Sequence, residues 1–378
     1  TLIEKLAQVM PPLDPEIAQS LHNELKQHEV RLHLCNGVTR FDDRNGQVVA
    51  TLESGATVTA DLVILAVGVR PDTPLARDAD LKLSERGAIV VDEHMRTSDP
   101  HIYAVGDAVE VRDPVLGGTT FVPLAGPANR QARIAIDNIF GRESTFRGTQ
   151  GTSVVRLFGL TAGSTGPSEK ILKQRGAPYR KVYVHRGHHV GYFPGAQSLH
   201  IKLLYAPENG RVLGAQIVGA DGVDKRIDVL AVAIQAGLTV HDLEEAELAY
   251  APQYGAAKDP VNIAGFVASN DLSGDEEFAY TENLLGANRD GCVIVDVRDP
   301  MEFAMGHVPD AMLLPLTQIR ERWRELPQDK QIVTYCGVGQ RSYYANRILR
   351  QKGLKPKNLA GGFNTYQLVA AALGENGG

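Results

Sequence analysis

The sequence is poor in cysteine and has no long apolar run. Its 378 residues include only three cysteines, and these lie far apart in the chain. An odd number of separated thiols argues against a disulfide framework and favours a reducing compartment. Because there is also no apolar stretch of membrane length and no signal peptide, we expect a cytoplasmic protein with no membrane partner.

The sequence also lacks a basic surface and a glycine-rich phosphate-binding fingerprint. A formal net charge of −6 leaves no broad basic face for nucleic acid. No G-x-G-x-x-G occurs, and the chain opens at Thr1 inside a segment that is typical of a β-strand. We therefore expect the later part of a larger protein, without complete phosphate-binding turns.

The composition is that of a globular protein with two to four domains, at 43% hydrophobic and 22% charged residues. Strands and helices alternate at first, then strands joined by turns precede a helix, and after a polar acidic stretch the strand–helix alternation returns. The fold class is thus predicted to be α/β, with an α+β domain in the middle. The predicted segments are 1–68, 69–147, 148–270, a linker at 271–279, and 280–378.

A cysteine occupies a loop between a predicted strand and a predicted helix. "QIVTY" is short and β-prone, two glycines permit a turn, and "RSYYANRILRQKG" has helical spacing. In that position, backbone N–H groups and the helix N-terminus favour a thiolate at Cys336, assisted by Arg341. The alternative is a small buried hydrophobic side chain, which is the usual state of a free cysteine.

An aspartate follows the apolar run in "TSDPHIYAVGDA". The run predicts a strand that delivers Asp107 to its carboxyl end, where doubly wound folds place their ligands, and Gly106 allows the backbone to approach closely. A common strand-to-turn dipeptide is the alternative for these two residues taken alone.

The longer run resembles the second flavin fingerprint of the two-dinucleotide disulfide reductases, and "LVILAVGVRPDT" is similar to that family's crossover between domains. The resemblance covers residues 1 to about 270. It implies partial Rossmann-like NAD and FAD domains followed by an α+β dimerisation domain. It also implies that Asp107 binds the ribitol of FAD, that Leu124 and Ala125 contact the flavin through their backbone, and that the redox cysteine lies upstream.

Glu4 follows the first predicted strand, where a dinucleotide fold carries the carboxylate that binds a ribose 2′-OH. A carboxylate at this position disfavours a 2′-phosphate, so we expect NADH rather than NADPH. A solvated ion pair with Lys5 is the alternative for this residue.

The dimerisation segment distinguishes among these reductases. "LAYAPQYGAAKDPVN" resembles the coenzyme A disulfide reductases and their persulfide-reducing relatives, not glutathione reductase. That resemblance implies a homodimer in which Tyr192 and Tyr250 reach the substrate sulfur of the partner subunit. It also implies that Lys258 contacts the coenzyme A nucleotide. Asn129 stands where some members have a substrate-contacting histidine.

The last segment resembles a rhodanese, which is an α/β domain. "VIVDVRDPMEFAMGHVPDAMLLPL" followed by "CGVGQR" matches the two motifs of that fold, and the six-residue loop suits a sulfur atom rather than a phosphate. The resemblance implies that the loop residues bind the sulfur substrate: Gly337, Val338, Gly339 and Gln340. Because glycine replaces the usual arginine after the cysteine, a thiol-borne persulfide is favoured over thiosulfate.

These expectations combine into one hypothesis with an alternative. The chain is expected to serve FAD-dependent reduction of coenzyme A disulfide, persulfide or polysulfide by NADH, coupled to sulfur transfer at Cys336, with no metal. The alternative is a sulfurtransferase, sulfur-carrier or sensing module whose reductase part is incomplete.

Overall fold

The computed structural model describes residues 1–285 and 291–374, and the chain divides into two compact units. Unit 1 comprises residues 1–37, 154–164 and 168–378, and unit 2 comprises 38–153 and 165–167. Strands and helices are numbered in chain order. Each unit is described by itself.

Unit 1 begins with a short parallel pair and a helix. β1 (Leu2–Ile3) pairs with β2 (Leu32–His33), and α1 (Pro15–Gln27) connects them. α1 forms because Pro15 sits at its first position and apolar residues recur at helical spacing. Its apolar face is buried in a core that includes Leu21.

The second part of unit 1 is a five-stranded sheet in the order β11-β12-β13-β10-β9, in which β11-β12-β13 are antiparallel neighbours. The strands are β9 (Ser153–Leu157), β10 (Leu160–Thr165), β11 (Arg180–Gly187), β12 (Ser198–Tyr205) and β13 (Val212–Gly219). The helices are α4 (Glu169–Arg175), α5 (Val223–Ala236), α6 (Val240–Glu245) and α7 (Pro260–Leu272). α7 starts at a capping box made by Asp259 and Asn262.

The third part of unit 1 is a parallel sheet in the order β14-β18-β17-β15-β16. The strands are β14 (Phe278–Ala279), β15 (Cys292–Asp296), β16 (Met312–Leu313), β17 (Gln331–Tyr335) and β18 (Lys357–Leu359). The helices are α8 (Pro300–Ala304), α9 (Ile319–Arg322), α10 (Gln340–Gln351) and α11 (Gly362–Ala372). Since β14 joins this sheet, the chain enters it two residues before the predicted boundary at 280.

Unit 2 contains two three-stranded sheets and two helices. The strands are β3 (Val38–Arg44), β4 (Gln47–Leu52), β5 (Thr57–Ala60), β6 (Ile89–Val90), β7 (Val109–Arg112) and β8 (Thr119–Thr120). The helices are α2 (Pro74–Asp78) and α3 (Ala125–Ile139). Val109 and Val111 pack with Ala135 of α3 in the core of this unit.

The strand expected before Asp107 is not formed, and the apolar run 62–69 does not form a strand either. The run 62–69 has no regular structure, with Ile64 82% and Val67 90% exposed, and residues 102–106 form only an isolated bridge at Tyr103. A central strand of a parallel sheet needs hydrogen-bonding neighbours on both sides. No strand in the described ranges supplies them for these two runs.

Within the described residues, no helix is both long and apolar enough to cross a membrane. The linker predicted at 271–279 overlaps the end of α7. The linker residues that follow α7 contact α10, because Arg347 donates to Asp275 at 2.8 Å and Arg350 donates to the Gly274 carbonyl at 2.8 Å. The domain boundaries themselves stay a prediction.

Candidate functional site

Cys336 lies where a strand gives way to a helix. β17 ends at Tyr335 and α10 begins at Gln340, with Gly339 at φ +93° as its N-terminal cap. The Gly339 N–H donates to Cys336 Sγ at 3.2 Å, and the Ser342 hydroxyl donates to the same sulfur at 3.6 Å. Donors at a helix N-terminus stabilise negative charge on an acceptor atom.

The Cys336 side chain is enclosed, with only 1% of its surface exposed. Burial alone would agree with the alternative of a small hydrophobic side chain, but the two donors show that the sulfur sits in a polar loop. Cys292 is half-buried at the start of β15. Cys35 is exposed, at φ +52°.

Arg341 does not face the sulfur alone. Its guanidinium makes two hydrogen bonds with the Glu302 carboxylate, at 2.7 and 2.6 Å, and also contacts Asp299 at 3.5 Å. These bonds from Arg341 hold the pKa of Glu302 below its ordinary value. A second pair joins Arg298 to the buried carboxylate of Asp296, and the Arg298 guanidinium also lies over the Tyr335 and Phe363 rings. The positive charge that the sequence assigns to the sulfur site is therefore shared with a carboxylate.

The start of α11 covers the backbone of the cysteine loop. The Phe363 N–H donates to the Cys336 carbonyl at 2.8 Å, and the Asn364 N–H to the Gly337 carbonyl at 3.0 Å. A Cβ added at Gly362 would lie 2.4 Å from the Cys336 oxygen, so only glycine fits there. The loop is thus held from both sides, by α10 and by α11.

The two tyrosines predicted from the dimerisation segment come together in one chain. The Tyr192 and Tyr250 hydroxyls lie 3.4 Å apart, and the side chains are 76% and 46% exposed. The hydrogen bond with Tyr192 raises the pKa of Tyr250. Across residues 1–285 and 291–374, no hydrogen bond or ion pair joins this pair to the Cys336 loop. The pair can donate protons to an external acceptor.

A buried ion pair braces the loop that carries Tyr192. Arg226 contacts both oxygens of Asp259, at 3.3 and 2.8 Å, and donates to the His188 carbonyl at 2.7 Å. The Val190 N–H donates to the Gly255 carbonyl at 3.1 Å, which links the same loop to the segment that precedes α7. Lys258, in that segment, is exposed with its ammonium over the Phe266 ring.

In unit 2, the residues predicted to bind flavin lie around the start of α3. Gly106 has φ +87° and its N–H donates to the buried Gln131 side chain of α3 at 2.7 Å. A Cβ added at Gly106 would lie 4.0 Å from that of Ala128, in the first turns of α3. Asp107 is therefore placed near the first turn of α3, and its carboxylate is exposed.

The N-terminus of α3 is open. It has no side-chain cap, Leu124 is its extended N-cap residue, and Ala125 is exposed. Uncapped N–H groups and a neighbouring carboxylate are the donor and acceptor set that a polyol and a pyrimidine carbonyl require, so the residues fit a flavin. Asn129, one turn on, is exposed and donates to the Ala125 carbonyl at 2.9 Å.

Glu4, in unit 1, directly follows β1 as predicted. One of its carboxylate oxygens accepts the Leu6 N–H at 2.8 Å, so the side chain lies over its own loop. The Leu6 N–H uses only one Glu4 oxygen, so the second oxygen can accept from a hydroxyl group.

Comparison with known families divides the chain in three. Residues 1–132 match the pyridine nucleotide-disulphide oxidoreductases, 152–259 match the dimerisation domain of that family, and 280–368 match the rhodanese-like domain. The chain belongs to the pyridine nucleotide-disulphide oxidoreductases. It carries a rhodanese-like domain at its carboxyl end.

Individual relatives agree with these matches. The coenzyme A disulfide reductase of Staphylococcus aureus (strain JH9) is 35% identical over 269 residues, which are 71% of this chain and 60% of the relative. Reduced Bacillus anthracis CoADR-RHD has a TM-score of 0.95 and 45% identity, covering 98% of this chain and 66% of that one. The NAD-dependent persulfide reductase from A. fulgidus has a TM-score of 0.88 and 38% identity, covering 96% and 66%. The chain thus spans 60% of the length of the curated relative.

These comparisons confirm the predicted family, the mixed α/β fold class and the rhodanese-like domain. They do not test the individual site residues, which stay predictions. Sequence reasoning missed Arg226 and the amide Asn358. Arg226 could have been found, because it lies on the buried stripe of α5, three residues after Val223 and four before Leu230. Asn358 carries no such signal, since its partner Gly339 comes from another element.

Proposed function

We propose that the complete protein reduces the S–S bond of a coenzyme A disulfide, coenzyme A persulfide or polysulfide with electrons from NADH, and that Cys336 transfers sulfane sulfur. The observation that carries the reductase part is the exposed hydroxyl pair of Tyr192 and Tyr250. In a hydrogen-bonded pair of phenols, one hydroxyl donates to the other and the second keeps its proton free to donate to a departing thiolate. The coenzyme A disulfide reductase and persulfide reductase relatives support this choice.

FAD would be held by the groups at the start of α3. Asp107 would accept from the ribitol, Gly106 leaves room for it, and the backbone at Leu124 and Ala125 would donate toward the ring. Bound FAD supplies two-electron transfer between the nicotinamide and sulfur. The carboxylate of Glu4 supports NADH over NADPH, because it accepts from a ribose hydroxyl and repels a 2′-phosphate.

We assign the tyrosines to the partner's site within a homodimer, which is consistent with the dimerisation domain. Lys258 is exposed and free to meet a phosphate of coenzyme A, and Asn129 offers a neutral amide to the substrate. A cytoplasmic location follows from the redox state that this thiol chemistry requires.

The sulfur-transfer step uses Cys336 as nucleophile. Its thiolate attacks the terminal sulfur of an organic persulfide R–S–SH, the S–S bond of the donor breaks, and R–S⁻ leaves with the bonding electron pair. Cys336 becomes Cys–S–SH, and the leaving thiolate takes up a proton from water. The Gly339 N–H and the Ser342 hydroxyl lie where they stabilise negative charge on the sulfur.

The test uses the full-length protein and measures NADH oxidation and sulfide release with coenzyme A disulfide, coenzyme A persulfide and polysulfide. We expect bound flavin and turnover with at least one of them. Cys336→Ser should abolish sulfur transfer to cyanide and leave the reduction of a small persulfide largely intact, whereas Cys292→Ser should change neither. Equal loss of both activities in Cys336→Ser would contradict the division of labour. A protein without flavin that still transfers sulfur would favour the sulfurtransferase alternative.

A further inference from the structure

A buried carboxyl group lies in the segment between α7 and β14. Glu276 is 5% exposed, and its N–H donates to the Asn270 carbonyl at 3.0 Å, which fixes the backbone of the turn. A buried carboxyl without a paired cation is unusual in a protein interior. Neither the fold nor the proposed chemistry described above uses this side chain.

The Glu276 carboxyl lies beside two side-chain amides of the rhodanese-like domain, Asn346 and Asn358. Asn358 Nδ2 donates to the Gly339 carbonyl at 2.9 Å, and because a carbonyl only accepts, the orientation of this amide is fixed. Asn346 Oδ1 accepts from the Thr334 hydroxyl at 2.7 Å. Asn358 Oδ1, an acceptor, and Asn346 Nδ2, a donor, therefore take part in neither of these two hydrogen bonds.

Three buried polar atoms remain unpaired at this place. Within the part of the chain that the structure describes, Glu276 Oε1, Asn346 Nδ2 and Asn358 Oδ1 have no hydrogen-bond partner. A neutral carboxyl group offers one O–H donor and one carbonyl acceptor, which is the set that the two amides lack. A carboxylate only accepts, so it would leave Asn358 Oδ1 facing another acceptor.

The positive charges nearest Glu276, which oppose its neutral form, are already paired with other carboxylates. The arginines that face it from α10 are already paired with the exposed carboxylates on either side of it: Arg347 with Asp275 at 2.8 Å and Arg350 with Glu277 at 3.8 Å. Burial raises the pKa of Glu276 to about 7, against the opposing effects of the two amides and the two arginines.

The amide of Asn358 connects this carboxyl group to the reactive sulfur. The Gly339 carbonyl that accepts from Asn358 belongs to the residue whose N–H donates to Cys336 Sγ at 3.2 Å. The Ser342 hydroxyl, which has one proton to donate, lies 3.0 Å from the same carbonyl and 3.6 Å from Cys336 Sγ, so it can donate to either acceptor. A change in the orientation of Asn358 therefore acts directly on the cap residue that aims a donor at the sulfur.

We propose that Glu276 is a positioning residue for sulfur transfer. As a neutral acid, it holds Asn358 on the Gly339 carbonyl and so keeps the Gly339 N–H directed at Cys336. When Glu276 ionises, the carboxylate attracts the Asn358 N–H group away from Gly339, and the loop loses one of its supports. The inference rests on the proposed sulfur transfer at Cys336 and adds a proton-controlled group to it.

The experiment compares the full-length protein with Glu276→Gln, which mimics the neutral acid, and with Glu277→Gln, which removes an exposed neighbouring charge. Sulfur transfer from glutathione persulfide to cyanide is measured from about pH 5.5 to about pH 8.5, a range that brackets a raised carboxyl pKa. We expect kcat of wild type relative to Glu276→Gln to be near unity at the acid end. This ratio of kcat values should fall by about threefold or more at the alkaline end, because one positioning hydrogen bond is lost there in wild type. The ratio of wild type to Glu277→Gln should not depend on pH.

A second measurement separates this inference from the proposed function. Hydrogen exchange of the Gly339 amide, corrected for intrinsic base catalysis, should lose protection in wild type as the pH rises and keep it in Glu276→Gln. If no sulfur transfer occurs at any pH, the proposed function fails, but the amide still reports on Glu276. If Glu276→Gln does not fold, the wild-type exchange profile decides. A pH-independent protection of Gly339, or identical kcat profiles for wild type and Glu276→Gln, would overturn the proposal.

Discussion

One buried charge, Arg226, holds the loop that carries Tyr192. Arg226 is 1% exposed, and besides Asp259 it donates to the carbonyls of His188 and Gly222. Its guanidinium thus supplies donors to a carboxylate and to two backbone acceptors. A planar fork with several fixed donors suits this geometry in a way that a lysine ammonium does not. The exposed loop with Tyr192 is therefore anchored by a charge in the core.

Arg226→Met tests this anchoring role at the residue scale. The substitution keeps most of the volume but leaves the Asp259 carboxylate buried without its cation, so we expect a loss of about 3–5 kcal/mol in the free energy of unfolding. Urea unfolding followed by circular dichroism measures the loss. The matched control is Asp228→Asn, an exposed charge on the same helix, which should stay within about 0.5 kcal/mol of wild type. Equal effects of the two substitutions would contradict the anchoring role.

At the scale of elements, one lysine joins three of them. Lys202 of β12 is fully buried, and its ammonium lies 2.9 Å from Asp14 at the cap of α1, 2.5 Å from Glu16 of α1 and 2.5 Å from Glu169 of α4. Burial alone would raise the pKa of Glu16, but the Lys202 ammonium outweighs it and holds the pKa below its ordinary value. The same lysine lowers the pKa of Glu169. The Lys202 ammonium therefore favours the ionised forms of Glu16 and Glu169, and Lys181 supports it at Glu169.

Lys202→Met should therefore destabilise the chain by about 3–5 kcal/mol near neutral pH, because it leaves buried carboxylates without their main cation. In the variant, burial and mutual repulsion raise the carboxyl pKa values above those of the unfolded chain. A raised folded-state pKa contributes stability at low pH that is lost as the pH rises. The difference in unfolding free energy between variant and wild type should thus shrink as the pH falls from about 7 toward about 5.

The control for this prediction is Lys173→Met, which removes a 62% exposed lysine that contacts the same Glu169 at 2.8 Å. An exposed partner contributes little, so the change should lie within about 1 kcal/mol. A pH-independent loss in Lys202→Met would show that lost packing, and not charge, accounts for the effect.

Elements differ in how well the sequence predicts them. The strand before Cys336, the helix after it and the hairpin of β4 and β5 follow from local patterns, because turn glycines and apolar periodicity bound each of them. The run 62–69 has the same apolar pattern, yet it forms no strand, because hydrogen-bonding neighbours are not a local property. For the same reason the Lys202 cluster could not be predicted: its carboxylates come from residues 14, 16 and 169. The family resemblance singled out Tyr192 and Tyr250, but it did not predict that their hydroxyls pair with each other.

At the scale of the whole molecule, two sheets of unit 1 are joined by side chains. Lys181 of β11 contacts Glu282, which follows β14 in the rhodanese-like domain, and the Tyr280 hydroxyl donates to the Lys181 carbonyl at 3.0 Å. His185, also on β11, lies 2.7 Å from the Thr365 hydroxyl of α11 through its Nε2 atom. Because the first turn of α11 covers the backbone of Cys336, these contacts link the sheet that precedes the tyrosine loop to the rhodanese-like site.

His185 makes this junction sensitive to acid. Burial, together with the neighbouring His200 ring, lowers the pKa of His185 to about 3 from an ordinary value of 6.5. The unfolded chain therefore takes up this proton first as the pH falls below about 6.5, and stability decreases toward lower pH by about 1.4 kcal/mol per pH unit for one proton. His185→Gln keeps a donor for Thr365 and removes the titration. The unfolding free energy should therefore change less steeply with pH in this variant between about pH 6.5 and about pH 5. The difference in slope should correspond to the uptake of roughly one proton. The exposed His241→Gln should keep the wild-type slope, and an unchanged slope in His185→Gln would mean that the buried histidine does not control the acid stability of the junction.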